Sequence, residues 1–398
     1  MTNAGLSLDA DDGRGLPLFP ELAAPSPFRR PADAQSPFED PLLEALTRTR
    51  PVRRLKRIGF LGAIDRTKSR NWHNRHDHSV AVARLALLYA TLRNLSQRDT
   101  RVLAVAGLLH DVGHGPLSHT LEPIFKRRFN ISHHKVGYRI IRGESRLGRQ
   151  IPNLLSRYRL DPDEIIAMID GTHGGPHAFL FSSPINFDTI DGVTRFRSFF
   201  LGRRPEVGSA AVIVRAISVT DALPTRTLDV FWHLKHQMYN SVLHGPAGLL
   251  YDGLAQAAAT RDIHRFTPED FFKDEPQFRR REPRLFGLLD RARKAPRRLR
   301  RGLSDAILDH EIDAPTRTFF RNTSVELKTP GDLVRRYKQS KTFRKASISE
   351  LLPTEDPTNC PCRVIQPAFS MPAGIAPRKA SERCGKPLEP CLAANPTS

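Results

Sequence analysis

Apolar side chains recur at helical spacing through most of the chain. The clearest stretch runs from Ser79 to Leu95 (SVAVARLALLYATLRNL), where Val, Leu and Ala repeat at i, i+3 and i+4 and strong helix formers abound. Ser96 then reads as an N-cap, with Asp99 in the first turn of a second helix. That helix carries Val102, Leu103, Val105, Ala106, Leu108 and Leu109 and ends near Gly113. The same periodicity predicts helices over 118–129, 133–143, 161–170, 185–200, 208–222, 226–240, 246–260, 283–294 and 303–310. No run of alternating strands competes with them, so the fold class is read as all-α. No internal repeat is visible.

The two ends lack this pattern. Residues 1–40 are rich in Pro, Ala and Asp and read as a flexible arm. Residues 351–398 are rich in Pro and small side chains and read as a disordered tail. Between them the chain divides into a helical core over 41–240 and a basic helical extension over 241–350.

Charge adds a preference for anionic partners. The 398 residues carry 62 Lys and Arg against 42 Asp and Glu, a formal net charge of +20. Arginines concentrate between Arg279 and Arg301, around an apolar stripe of Leu285, Phe286, Leu288 and Leu289. This stretch reads as a solvated basic helix face or as a phosphate-contacting surface for nucleotide or nucleic acid. The cysteines Cys360, Cys362, Cys384 and Cys391 all lie in the tail, so none can staple the body. That usage fits a reducing, cytoplasmic setting; a zinc knot is the less favoured reading, because the spacing is irregular. No apolar run of about 18 residues predicts a membrane span, and no basic-then-apolar leader opens the chain.

The candidate chemistry lies where histidines meet carboxylates. Gly107-Leu108-Leu109-His110-Asp111-Val112-Gly113-His114-Gly115-Pro116 closes one predicted helix, and Arg75-His76-Asp77-His78-Ser79 opens the preceding one. Antiparallel packing of these helices would set His78 opposite His110 and Asp111. Imidazole and carboxylate suit a divalent ion such as Mn, Mg, Fe, Co, Ni or Zn. Asp188, in Pro184-Ile185-Asn186-Phe187-Asp188-Thr189-Ile190-Asp191, is the best candidate for a fourth ligand, although alone it would read as a helix cap. Such a site suits hydrolysis of a phosphate ester or anhydride.

These segments carry a family resemblance. His73-Asn74-Arg75-His76-Asp77-His78-Ser79 and Ala106-Gly107-Leu108-Leu109-His110-Asp111-Val112-Gly113-His114-Gly115-Pro116-Leu117-Ser118-His119 resemble motifs of the HD-domain phosphohydrolases, within a helical bundle over roughly residues 45 to 240. The nearest branch is the deoxynucleoside triphosphate triphosphohydrolases, which release a deoxynucleoside and triphosphate. The resemblance implies that His78, His110, Asp111 and Asp188 hold the metal. It further implies that Arg75 neutralises phosphate charge, that His114, His119 and Asp191 line the substrate pocket, and that His134, oriented by Glu122, is the catalytic proton donor. Homo-oligomerisation is also implied, and a nucleotide or other phosphate ester is the expected substrate.

The last motif departs from the family. Thr189 stands where a phosphate-contacting lysine is usual, Gly192 where a sugar-side tyrosine is usual, and Phe196 where a distal aspartate is usual. The ligand set is complete while the deoxynucleotide shell is altered. A nucleotidase or phosphodiesterase acting on another phosphate ester is therefore the alternative, and a nucleic-acid-binding protein on an HD scaffold is the second. Guanosine tetraphosphate hydrolases, with H-D-x-x-E-D, and cyclic-dinucleotide phosphodiesterases, with Gly-Tyr-Pro, fit the chain less well.

Overall fold

The computed structural model describes residues 37–68, 73–200, 207–220 and 222–352. Most of the expected arm, nearly all of the expected tail and all four cysteines lie outside the described residues.

Helix α1 (Pro41–Arg48) starts where Asp40 accepts from the Leu42 and Leu43 amides and proline occupies the first turn. Short α2 (Arg50–Arg54) and turns at Leu55–Arg57 and Gly62–Thr67 lead to α3 (Arg75–Leu92) and α4 (Gln97–Leu109). Ser96 caps α4 through the Asp99 amide, as its sequence position predicts. The α3–α4 pair is antiparallel and unusually close. A Cβ at Gly107 would sit 3.1 Å from Ala83 Cα, so glycine lets the two backbones meet beside the helix ends that matter below.

The chain continues through α5 (Ser118–Phe129), α6 (His133–Arg142), α7 (Gln150–Arg157), α8 (Pro162–Asp170), α9 (Phe179–Ser182) and α10 (Phe187–Phe200). It then forms α11 (Val207–Ile217), α12 (Thr225–Met238), α13 (Pro246–Arg261), α14 (Glu275–Arg281), α15 (Pro283–Lys294) and α16 (Asp305–Leu308). The all-α reading is borne out, and the predicted helices at 118–129 and 283–294 match α5 and α15 at both ends.

One element was not anticipated. Strands β1 (Glu311–Arg321) and β2 (Tyr337–Ser347) pair antiparallel, from Glu311 opposite Ser347 to Arg321 opposite Tyr337, with α17 (Asp332–Arg336) between them and α18 (Ile348–Leu351) after. The extension over 241–350 is thus not helical throughout. The pair escapes an alternation test because little of it is buried. Only Ile312 and Ala314 on β1, and Tyr337 and Ala346 on β2, enter the core, while charged and polar side chains fill most other positions.

The larger apolar cluster runs from Phe38 and Leu42 through Val82, Leu108 and Phe187 to Phe286, Ile348 and Leu352, and a smaller one gathers Phe60, Leu61, Ile64, Phe196, Phe199 and Val242. No described helix is long and apolar enough to cross a membrane.

Candidate metal centre

Three helix ends converge on one point. Asn74 caps α3 by accepting from the Asp77 amide, which fixes the first turn and places Arg75 and His78 on one face. His110 is the C-cap of α4, and Asp111 follows directly. Asp188 lies in the first turn of α10, and Asp191 follows three residues later on the same helix.

His78 Nε2 lies 3.2 Å from His110 Nε2, 3.1 Å from Asp188 Oδ1 and 3.7 Å from Asp111 Oδ2. His110 Nε2 lies 3.5 Å from Asp111 Oδ1 and 3.9 Å from Asp188 Oδ1. The four residues expected to act as ligands are therefore brought together. His78 and Asp111 form a buried floor, and Asp188, with its side chain 53 % exposed, faces solvent.

The ring partners fix the tautomers of the two histidines. His78 Nδ1 is 2.6 Å from Asp191 Oδ2, and His110 Nδ1 is 2.8 Å from the Gly107 carbonyl. Both acceptors require a proton on Nδ1, so in the neutral rings each Nε2 presents a lone pair. Two lone pairs and two carboxylates aimed at one another fit a divalent cation. Burial opposes charging His78, but hydrogen bonds to Asp188 and Asp191 and the charges of Asp191 and Asp111 outweigh it and push its pKa up to about 9. Burial likewise opposes ionisation of Asp111, yet Arg75, His110 and His114 hold it well below the usual carboxylate range.

Asp191, expected to line the substrate pocket, stands directly behind His78. It is 5 % exposed, and both its oxygens are engaged: Oδ2 by His78 and by Arg195 Nε at 2.8 Å, Oδ1 by Arg195 Nη2 at 3.1 Å. The i, i+4 spacing on α10 brings Arg195 alongside, and the Asp191 carboxylate is shared between His78 and Arg195.

Arg75 is buried against the same floor. Its Nη1 lies 2.6 Å from Asp111 Oδ2, its Nε donates to Ser118 Oγ at 3.1 Å, and its guanidinium stands 5.0 Å from the centre of the Phe60 ring. Ser118 in turn donates to the Gly59 carbonyl at 2.7 Å. The turn at Leu117 and Ser118, with φ of 56° and 46°, is left-handed at two successive non-glycine residues and starts α5 with His119 turned toward the centre.

Beside the first cluster stands a second. His114 stacks on His133 with ring centroids 4.1 Å apart, and His119 meets both edge-on, at 4.6 and 5.1 Å. His114 Nε2 lies 3.2 Å from Asp111 Oδ1, which joins the clusters. Burial, then the charges of Arg75 and His133, hold the His114 ring well below its ordinary pKa and keep it neutral.

Glu122 organises this second cluster, but through a different histidine from the one expected. Its Oε1 and Oε2 lie 2.8 and 2.7 Å from His133 Nδ1, and Oε1 accepts from the His133 amide at 3.1 Å. His119 Nδ1 is 3.3 Å from Oε2. His134 is exposed and has no contact with Glu122; its Nδ1 lies 3.4 Å from the Tyr138 hydroxyl. The reason is the helix start. Ser132 caps α6, so His133 is its first residue and offers ring and amide together, while the turn of about 100° per residue swings His134 outward. Burial would raise the Glu122 pKa, yet its bonds to His119 and His133 lower it far below the ordinary value.

Other contributors gave no sequence signal. Arg54 donates to the Val112 and His114 carbonyls and clamps the ligand turn. Lys235, in an amphipathic helix where lysine reads as solvent-facing, is 2 % exposed and donates to the Pro184 carbonyl at 2.7 Å. Burial first, then Arg317, push its pKa down to about 7 against the pull of Asp188.

Comparison with known proteins places this geometry in context. Residues 75–198 match the HD domain family. An uncharacterized protein of Mycoplasma genitalium is 28 % identical over 244 residues, 52 % of this chain and 56 % of that protein. The deoxynucleoside triphosphate triphosphohydrolase SAMHD1 of Gallus gallus is 30 % identical over 175 residues, 39 % of this chain and 28 % of that protein. The chain thus spans only part of the length of either relative. A hypothetical protein of Aquifex aeolicus, known from its crystal structure, superposes with a TM-score of 0.53 at 20 % identity, covering 79 % of this chain and 97 % of that one. This last likeness is one of fold.

Proposed function

Starting from a chain that carries an HD domain over residues 75–198, we propose that this protein is a metal-dependent phosphohydrolase whose leading substrate class is the deoxynucleoside triphosphates. One observation carries the reading: His78 and His110 face each other through Nε2 lone pairs at 3.2 Å, with Asp111 and Asp188 beside them. A divalent ion held by those four residues would supply Lewis acidity toward a phosphoryl oxygen and acidify a water.

The chain's own groups then divide the remaining work. Arg75 sets a fixed positive charge beside Asp111, where negative charge develops on a transferring phosphoryl group. His133, held through Nδ1 by Glu122 and stacked on His114, can donate a proton from its other ring nitrogen to a leaving oxygen. His114 and His119 flank it as neutral hydrogen-bonding rings.

The altered last motif has a structural counterpart that favours the second reading, another phosphate ester. Thr189 is engaged in a reciprocal cap with Asn186, accepting from its amide at 3.2 Å and donating its own amide to Oδ1 at 2.8 Å, so it does not stand in for the missing lysine. A Cβ at Gly192 would meet Phe60 at 3.7 Å, and Phe60 packs on Phe196 with centroids 5.4 Å apart. An apolar wall thus fills the space of the usual sugar-side polar groups. Lys235 brings a buried amine near Asp188 from a different helix.

A panel of deoxynucleoside triphosphates, ribonucleoside triphosphates, monophosphates and model esters, each with Mn, Mg, Co and Fe, tests the proposal. Release of triphosphate is expected for the leading reading, and phosphate from monophosphates for the second. His110→Ala and Asp111→Ala are each expected to lose bound metal and hydrolysis together while retaining the helical circular-dichroism spectrum. Undiminished turnover in either variant would sink the mechanism.

A further inference from the structure

A cavity of about 500 Å³ opens between the C-terminal end of α13, the exposed face of α15 and the α16 turn, and it shares no residue with the metal centre. Its floor is apolar, with Leu288 and Ile307 buried there, and its rim carries Arg261, Arg284 and Arg291. The volume lies in the range of small-molecule sites.

The arginines of this stretch are not equivalent. Arg279 pairs with Asp290 at 2.6 Å, and Arg281 donates to the Arg265 carbonyl at 2.7 Å, so both are tied into the fold. Arg261 pairs with Asp262 at 2.8 Å. Arg284 and Arg291 form no salt bridge among the described residues. Asp262 is the acid that feels Arg261, Arg265 and Arg284 together, so positive charge is in excess at the mouth.

The stripe along α15 is informative as well. Arg284, Gly287, Leu288 and Arg291 stand at i, i+3, i+4 and i+7 and share one face. A Cβ added at Gly287 would meet nothing within 4 Å. Glycine is unfavourable inside a helix, and no close approach explains it here. Its effect is to deepen the space between two guanidinium groups, over an apolar floor.

We propose that this cavity binds a small organophosphate, a molecule with an apolar or aromatic body and one or more phosphate groups. The phosphate sits between Arg284 and Arg291, whose planar donors match its oxygens. The body lies over Leu288 and Ile307 in the room left by Gly287.

Calorimetric titration of the full chain with ATP in EDTA tests this, because chelation disables the metal centre. Saturable binding is expected, unchanged in His110→Ala. The double variant Arg284→Glu, Arg291→Glu should weaken it by about tenfold or more. Gly287→Trp should abolish it while the thermal midpoint holds, since its side chain enters open space. Inorganic tripolyphosphate should bind at least about tenfold more weakly than ATP, for want of the apolar contact. The proposal is overturned by the absence of saturable ATP binding, by binding that ignores the α15 variants, or by binding lost in His110→Ala. It is equally overturned if only a DNA oligomer binds, steeply salt-dependent and indifferent to Gly287→Trp, since the stretch would then be a nucleic-acid face.

Discussion

His133 and His134 are neighbours in the chain with opposite surroundings. His133 is clamped by Glu122 and stacked on His114, whereas His134 stands in solvent beside Tyr138. Replacing His133 by alanine is expected to lower kcat by about 10²- to 10⁴-fold with bound metal retained. His134→Ala should leave kcat within about threefold. Steady-state rates and metal analysis of both variants decide between them; a larger loss in His134→Ala would restore the assignment that the family resemblance implies. Motif spacing made His78, His110, Asp111 and Asp188 legible, because each lies at a helix end whose position the apolar period fixes. It did not separate His133 from His134, because that depends on which residue Ser132 leaves as the first in the helix. The surroundings of Asp191 were hidden for a related reason: a sequence does not show that Arg195 and His78 occupy both its oxygens.

At the scale of elements, the site depends on how closely the turn after α4 meets the start of α6. A Cβ at Gly113 would lie 2.0 Å from the His133 carbonyl and 2.4 Å from the Gly137 amide nitrogen, both backbone atoms with little room to yield. Gly113→Ala is expected to destabilise the fold by at least about 2 kcal/mol in urea unfolding. Gly137→Ala is the matched control. Its Cβ finds nothing nearer than 3.7 Å, so a gain in helix propensity should keep it within about 1 kcal/mol of the parent. Equal destabilisation of the two would contradict this account of the close approach. The α3–α4 pair and α10 were readable because each buries a periodic face. The β1–β2 pair was not, because β2 is exposed from Lys338 to Lys345 and the half-buried positions of β1 include Pro315 and Arg317 instead of an apolar series.

At the scale of the whole molecule, α13 is tied to the helices that bear the site by a half-buried acid. Thr120 of α5 donates to Asp252 Oδ1 at 2.5 Å and accepts from the Ala63 amide at 2.9 Å. Burial pushes the Asp252 pKa up to about 7, against a lowering by Thr120. A carboxyl whose folded pKa is raised destabilises the fold increasingly as pH climbs from its ordinary pKa, near 4, to about 7, and by a constant amount above. Asp252→Asn should therefore gain about 2 kcal/mol over the parent at pH 8 and nothing near pH 4, after allowance for partial solvent access. A gain independent of pH in thermal melts would contradict the burial of this charge.

The claim on which the rest stands is that His78, His110, Asp111 and Asp188 hold a divalent ion that phosphate hydrolysis requires. Its most direct measurement is a titration of the metal-stripped protein with Mn, reading bound metal and hydrolysis of a deoxynucleoside triphosphate or model phosphate ester in the same samples, beside the His110→Ala variant. The account predicts that hydrolysis is absent at the start, rises in proportion to occupancy of the site, and stays absent in the variant, which leaves that site empty. Full hydrolysis in the stripped protein, or equal metal uptake and turnover in the variant, would contradict it.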